Sequence, residues 1–99
     1  MSKSFHVYIM TNKYHTVLYT GVTGNLAQRI WQHKKGRGCA FTRKYRCTKL
    51  LFVEEAWDAV SAIEREKEVK GWKRNKKVEL INSINPKWED LWDLVDGTS

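Results

Sequence analysis

The clearest strand pattern in the sequence lies in residues 5–21, which read FHVYIMTNKYHTVLYTG. Residues 5–10 and 16–19 are rich in β-branched and aromatic side chains, which favour extended backbone. Residues 11–13 provide a turn between the two segments. The pattern therefore predicts two strands that are close enough in sequence to pair as an antiparallel hairpin.

Gly21 and Gly24 are expected to end the second strand. Asn25 is a favourable N-cap for a helix through about His33, and Gln28 three residues later fits a variant of the capping box. The later segments are predicted as a loop with a short helix over 34–48, a strand over 49–53, and helices over about 58–72, 76–83 and 88–94. The order β-β-α-β-α-α predicts an α+β fold in which helices flank a three-stranded antiparallel-type sheet, in one domain over 1–99 with its core at about 4–92.

The composition is typical of one folded domain without a membrane segment. Of the 99 residues, 41% are hydrophobic and 12% aromatic, which is enough apolar surface to offset the lost chain entropy. No stretch approaches the roughly 20 apolar residues of a membrane span, and no apolar signal segment follows Met1. The cytoplasm is the expected compartment, and the two cysteines suit it. A zinc site of Cys39, Cys47 and His33 can be drawn, but its spacing matches no usual zinc motif.

The positive charge is concentrated in the first half of the chain. Residues 1–53 contain ten Lys and Arg and no Asp or Glu, whereas residues 54–99 contain eleven acids and eight bases. A segment without carboxylates presents a positive field to an anionic partner, although solvated lysines would also explain it. Nucleic acid is the leading candidate because Phe41 and Tyr45 interrupt the basic run. The side chains expected to bind it are Lys34, Lys35, Arg37, Arg43, Lys44, Tyr45, Arg46 and Lys70.

Glu66 is the carboxylate that the helical pattern aims inward. At 100° per residue it lies about 40° from Ala62, within the apolar stripe, while Glu64 and Glu68 fall on the outer face. The stripe is expected to comprise Ala59, Ala62, Ile63 and Val69. A buried carboxylate needs a partner, which is either Lys70 four residues later or a metal ion.

Arg29 and His33 lie four residues apart on the first predicted helix, so their side chains point the same way. They are either ordinary residues at the helix edge or a guanidinium and an imidazole that converge on a phosphate. Tyr8 and Tyr19, on the predicted hairpin, gain a functional meaning only if both phenols point to that same place.

Together these positions resemble the GIY-YIG nuclease family. His6-Val7-Tyr8 stands where the family has Gly-Ile-Tyr, and Tyr19-Thr20-Gly21 where it has Tyr-Ile-Gly. Arg29 follows ten residues after the second tyrosine, and His33 follows four residues later. Glu66 corresponds to the single metal-binding glutamate of the family.

The resemblance covers about residues 4–92, and its C-terminal part is similar to the small stand-alone bacterial members, which resemble the nuclease domain of the excinuclease C subunit. The sequence departs from the family pattern at His6, Val7 and Thr20. The family also tends to use an asparagine beyond the glutamate, for which Asn85 and Asn82 are the candidates.

The resemblance implies a metal-dependent endonuclease that hydrolyses phosphodiester bonds, in DNA rather than RNA, with little sequence specificity. It implies one divalent cation, Mg²⁺ or Mn²⁺, held by Glu66. Tyr8, assisted by His33, would deprotonate the attacking water, while Arg29 and Tyr19 would contact the phosphate. An unperturbed phenol has a pKa near 10, so nearby cations are expected to favour its phenolate form.

Two other functions stay open. One is a nucleic-acid-binding module that keeps the nuclease fold without catalysis. The other is an adaptor in a DNA repair complex, which would dock through the Trp-rich acidic residues 88–96. A domain of this size has no obvious second recognition module, so a protein partner or a homodimer is a further expectation.

Overall fold

The structure is a computed structural model that describes residues 4–96. The strands are β1 (Phe5–Thr11), β2 (Leu18–Thr23) and β3 (Lys49–Ala56), and the helices are α1 (Leu26–Lys34), α2 (Ala40–Tyr45), α3 (Ala59–Lys70), α4 (Arg74–Ile84) and α5 (Trp92–Asp96). The predicted α+β class is confirmed, and α2 is the short helix expected between α1 and β3. None of the helices in this range combines the length and the apolar character that crossing a membrane requires.

The sheet has the order β2-β1-β3, and both pairings are antiparallel. The central strand β1 is covered on both faces, because successive side chains of a strand point in opposite directions. Tyr8 and Met10 pack in one core cluster with Ile30 of α1, whereas Ile9 packs in a second cluster with Val69 of α3. The phenol of Tyr8 therefore lies inside the layer formed by the sheet and α1.

The second strand differs from its prediction. It begins at Leu18 and ends at Thr23, so Gly21 lies inside it, directly opposite Tyr8 of β1. A Cβ on Gly21 would lie 2.5 Å from Oη of Tyr8. The glycine is needed for this close approach of a ring to the strand, and the expectation that it ends the strand was wrong.

Two helices start at side-chain caps, of which the one at Asn25 was predicted. Asn25 Oδ1 accepts a hydrogen bond from the backbone N–H of Gln28 at 3.2 Å, which confirms the N-cap of α1. Asp58 Oδ1 accepts from the N–H of Ser61 at 2.8 Å and caps α3 in the same way. Inside α3, Ala62, Glu66 and Val69 are buried as expected, but Ala59 and Ile63 are exposed, so the predicted apolar stripe was too wide.

The last helix is shorter than predicted, because residues before it are held against β3. Asp90 Oδ1 accepts from the backbone N–H of Leu50 at 3.1 Å, and the N–H of Leu91 donates to Leu50 O at 2.8 Å. The same carboxylate oxygen accepts from the N–H of Trp92 at 3.0 Å, where α5 starts.

Asn85 joins three segments of backbone. Its amide nitrogen donates to Leu51 O at 3.0 Å and to Glu89 O at 2.8 Å, and its Oδ1 accepts from the N–H of Glu89 at 3.1 Å. The side chain is buried. Its hydrogen-bonding groups are thus used within the fold, and the structure gives Asn85 a structural role where the sequence offered a site role.

Asn85→Ala is expected to lower the free energy of unfolding by about 2–4 kcal/mol, because it leaves buried backbone groups unpaired. Asn82→Ala is the matched control on the same helix, since Asn82 is exposed and accepts one hydrogen bond, from Trp88 Nε1. Its expected cost is about 1 kcal/mol or less. Urea unfolding of the two variants measures the difference, and equal losses would contradict the assigned role.

Candidate active site

The centre of the site is a buried pair formed by Tyr8 and His33. Tyr8 Oη lies 2.9 Å from His33 Nε2, and each residue is 1% exposed. Strand β1 supplies the tyrosine and α1 supplies the histidine, one helical turn after Arg29. Because both groups are buried, each needs hydrogen-bond partners within the protein, and this contact supplies one to each of them.

We infer from a second hydrogen bond which nitrogen of His33 carries the proton. Thr42 Oγ1 donates to the backbone carbonyl of Cys39 at 3.1 Å, and it lies 2.9 Å from His33 Nδ1. Because the hydroxyl proton is used at the carbonyl, Thr42 accepts from Nδ1–H. His33 Nε2 is then unprotonated and accepts from the Tyr8 hydroxyl. The chain of donors runs from Tyr8 to His33 to Thr42 to Cys39 O.

Two glycines leave room for these rings. Gly21 allows the phenol of Tyr8 to cross β2, as described above. A Cβ on Gly38 would lie 2.1 Å from His33 Nδ1 and 2.7 Å from Thr42 Oγ1, so a side chain there would collide with the hydrogen bond itself. Both close approaches therefore depend on glycine.

Tyr19 completes an aromatic cluster around the pair. Its ring centroid lies 6.3 Å from that of Tyr8 and 5.6 Å from that of His33. Burial raises the pKa of the Tyr19 phenol, and its hydrogen bond with Cys39 adds to this. Tyr19 is therefore neutral at physiological pH and available as a hydrogen-bond donor.

Arg29 brings a positive charge to the Tyr8 phenol. Burial raises the pKa of Tyr8, while the hydrogen bond and the charge of Arg29 lower it, and the net direction is upward. Arg29 therefore favours the phenolate, as expected of a nearby cation, but in the free protein the loss of solvation outweighs it. Burial, and then Arg29, lower the pKa of His33 to about 4. The pair is accordingly neutral at pH 7.

Glu66 projects from α3 and is 9% exposed. Within the described residues its ion-pair partner is Lys70, with Nζ 3.6 Å from Oε2, so the simple ion pair considered for this helix is present. The contact is long, and the lysine side chain is 63% exposed. The negative charge of Glu66 also contributes to the raised pKa of Tyr8, which places it within electrostatic reach of the phenol.

The donor set suits a hard cation that keeps most of its water. Residues 4–96 contain no group of three or more His, Cys, Asp or Glu side chains able to hold a metal ion. One weakly paired carboxylate remains, which matches the way Mg²⁺ binds through one or two carboxylates and substrate phosphates. The zinc alternative does not fit, because both nitrogens of His33 are hydrogen-bonded and Cys47 is buried with its pKa raised to about 11 by that burial.

The residues predicted to bind nucleic acid separate into two groups. Lys34 forms an ion pair with Asp90, donates to Thr48 O at 2.7 Å and lies over Trp92, so it is engaged within the fold. Lys70 is paired with Glu66. The others are exposed on α2 or just after α1 and α2, namely Lys35, Arg37, Arg43, Lys44, Tyr45 and Arg46.

Sequence reasoning missed Thr42 and Gly38, and it considered Cys39 only in the zinc alternative. Burial raises the pKa of the Cys39 thiol, but hydrogen bonds with Thr42, Tyr19 and the backbone of Phe41 outweigh it and bring the pKa to about 7. A threonine nine residues after a histidine is not a signal that a single sequence reveals, since it requires the turn at residues 35–39.

A model of the GIY-YIG catalytic domain matches residues 4–79 of the chain. The chain belongs to the GIY-YIG family. Family membership places this domain among the nucleases by descent, and Tyr8, Tyr19, Arg29 and His33 of its motif lie together at one end of α1.

The relatives of this GIY-YIG domain are small proteins of similar length. A UPF0213 protein of Clostridium perfringens is 39% identical over 85 residues, which cover 86% of this chain and 90% of the relative. A UPF0213 protein of Natronomonas pharaonis is 33% identical over 81 residues, covering 82% and 94%. The solution NMR structure of the UPF0213 protein BH0048 from Bacillus halodurans matches with a TM-score of 0.57 and 30% identity, covering 92% of this chain and 96% of that one.

This GIY-YIG domain carries His6 where the family motif has glycine. His6 pairs with Thr23 on β2 and with Glu55 on β3, and its Nδ1 is buried without a hydrogen-bond partner within the described residues. Tyr8 is buried in its pair with His33 despite the larger side chain at position 6.

Thr42→Val is expected to change the tautomer of His33, because it removes the acceptor that holds the proton on Nδ1. Long-range nitrogen–proton NMR correlations on the imidazole report which nitrogen is protonated. Wild type should show Nδ1–H, and the valine variant should shift toward Nε2–H. Thr42→Ser keeps the hydroxyl and should retain the wild-type signal, so a shift in both variants would contradict this arrangement.

His33 should make the stability of the fold depend on pH. Its folded pKa of about 4 lies below the unfolded value of 6.5, so between these values the unfolded chain binds a proton that the folded one does not. Stability is then present above pH 6.5 and falls as the pH falls toward 4, by about 2 kcal/mol from pH 6.5 to 5. The free energy of unfolding of His33→Gln, measured with urea at several pH values, should not show this loss. If the wild type and the variant lost stability in parallel as the pH fell, the low pKa assigned to His33 would be refuted.

Proposed function

We propose that this GIY-YIG domain is a divalent-metal-dependent endonuclease that hydrolyses phosphodiester bonds in nucleic acid, with DNA as the expected substrate and little sequence specificity. The observation that carries the proposal is the Tyr8–His33 pair, with its buried donor chain to Cys39 O. A module that only binds nucleic acid has no use for a phenol whose proton already points at an oriented, neutral imidazole.

The pair supports transfer of a proton away from an attacking water. Tyr8 Oη would take the proton of the water while its own proton passes to His33 Nε2. Full transfer from Tyr8 to His33 in the free protein is strongly uphill, because burial raises the pKa of the phenol while burial and Arg29 lower the pKa of the imidazole to about 4. The two transfers are therefore concerted, and the negative charge of a bound phosphate raises the pKa of His33 and reduces the gap.

The other motif residues have roles that follow from charge. Arg29, beside Tyr8, would stabilise negative charge that builds on the phosphate, and the neutral Tyr19 would donate a hydrogen bond to a phosphate oxygen. Glu66 would hold one hydrated Mg²⁺ or Mn²⁺. When bound, that cation supplies Lewis-acid stabilisation of charge on the leaving oxygen. Lys70 is largely exposed and is free to turn toward a phosphate once Glu66 has another partner.

Both tryptophans of the expected adaptor surface also make contacts within the fold. Trp92 packs against the core cluster that contains Tyr8, and the Trp88 ring lies 4.9 Å from that of His15 while its Nε1 donates to Asn82 at 2.6 Å. These tryptophans therefore serve the packing of the C-terminal segment. A non-catalytic binding module is the second candidate, because the acid-free first half of the chain supports nucleic-acid binding with or without cleavage.

Glu66→Gln is expected to reduce cleavage by at least about 100-fold, because it removes the carboxylate charge that would hold the cation. Glu64→Gln is the matched control, since it makes the same change at an exposed position of α3. The assay is cleavage of labelled single-stranded, duplex and branched DNA and RNA, with Mg²⁺, with Mn²⁺ and with EDTA.

Cleavage that persists in EDTA, or that falls equally in both variants, would count against the metal role of Glu66. Folded wild-type protein that binds these substrates and cuts none of them would favour the binding module.

A further inference from the structure

An exposed aromatic track leads away from the buried tyrosine–histidine pair. The Tyr19 ring stacks on Phe41 with centroids 5.8 Å apart and planes at 30°, and Phe41 contacts Tyr45 at a centroid distance of 4.8 Å. Phe41 is 40% exposed and Tyr45 38% exposed. We use "aromatic track" for Tyr19, Phe41 and Tyr45.

The track has a fixed position relative to the catalytic pair. Phe41 and Tyr45 lie four residues apart on α2, so they project from the same face of that helix. Between them Thr42 points inward and holds His33 Nδ1 at 2.9 Å. The hydrogen bond that orients the imidazole thus also anchors the helix that presents the rings.

Beyond Tyr45 the track enters a groove with a volume of about 430 Å³. The groove is lined by Asn12, Lys13, Tyr14, Tyr45, Arg46 and Thr48. Cations lie over both of its rings, with Lys44 Nζ 5.2 Å from the Tyr45 centroid and Lys13 Nζ 5.6 Å from the Tyr14 centroid. The lining includes two cations and no carboxylate.

The geometry points to a binding surface for a single-stranded segment of nucleic acid, with unpaired bases stacked along the aromatic track and the backbone held by the cations around it. Exposed rings next to cations are the arrangement that binds single strands without sequence preference. The bases of a duplex are stacked on one another and cannot reach such rings without being unpaired. This inference rests on the proposed function and names its substrate class: phosphodiester bonds beside unpaired nucleotides.

The test is a binding measurement in EDTA, so that it does not depend on cleavage. Fluorescence anisotropy compares a labelled single strand of DNA, an abasic strand of the same length, a duplex of the same sequence and an RNA strand. Wild type should bind the base-bearing strand more tightly than the abasic strand, although their charges are equal. Phe41→Ala and Tyr45→Ala should each weaken that binding about tenfold and leave the abasic strand nearly unaffected.

The controls separate stacking from general damage. Phe41→Trp keeps an aromatic face and should retain tight binding. Trp57→Ala removes a ring that is 79% exposed at the end of the sheet where Phe5 pairs with Ala56, away from the groove at residues 12–14, and should change nothing. Thermal unfolding by circular dichroism verifies that the variants are folded.

The inference would be overturned if wild type bound the base-bearing and abasic strands equally well, bound the duplex more tightly, or bound no single strand. It would also be overturned if Trp57→Ala weakened binding as much as the track variants do. Track-dependent binding of the DNA or the RNA strand supports it and identifies the sugar that the surface takes. Track-dependent binding without cleavage in Mg²⁺ or Mn²⁺ would refute the nuclease proposal and leave the binding surface standing. Cleavage together with binding that is unchanged in Phe41→Ala and Tyr45→Ala would support the nuclease proposal and refute the binding surface.

Discussion

The buried hydrogen-bond chain from Tyr8 through His33 and Thr42 to Cys39 O connects the parts of this structure on which the proposed function depends. It joins the central strand to α1, and α1 to α2, across a layer from which water is largely excluded. In such surroundings every donor needs an acceptor, since an unpaired polar group would cost about 1–3 kcal/mol. The chain therefore restrains side-chain geometry and protonation at the same time.

The same constraint explains local features that look unrelated along the chain. Position 21 of β2 requires glycine because the phenol of Tyr8 crosses the strand there. Position 38 requires glycine because a side chain would collide with the contact between His33 and Thr42. The low pKa of His33 comes mainly from its burial, so the imidazole stays neutral in the range where a proton acceptor is needed. Stability of the fold and readiness for proton transfer thus depend on the same contacts.

The protein surface beside the Tyr8–His33 pair is charged, whereas the pair itself is buried and neutral. Tyr8, His33 and Thr42 are neutral and hydrogen-bonded to one another, whereas the adjoining surface carries exposed rings and cations, and the first half of the sequence contains no acid. In the proposed function, the positive surface would attract a negatively charged substrate toward the neutral Tyr8–His33 pair. Glu66 is the exception, since it brings a carboxylate toward this region and has only a long, exposed ion pair to compensate it.

Much of this protein could be predicted from local pattern. Strand-forming residues and the cap at Asn25 led to the α+β sheet, because caps and periodicity act within a few residues. The resemblance to the family motif led to Tyr8, Tyr19, Arg29, His33 and Glu66. Only the tertiary structure brings Thr42 into hydrogen-bond contact with His33 and lets Asn85 hydrogen-bond to separate backbone segments. It also pairs Lys34 with Asp90 and raises the pKa of Tyr8 by burial. These depend on burial and on contacts between residues that are distant in sequence, and a single sequence carries neither.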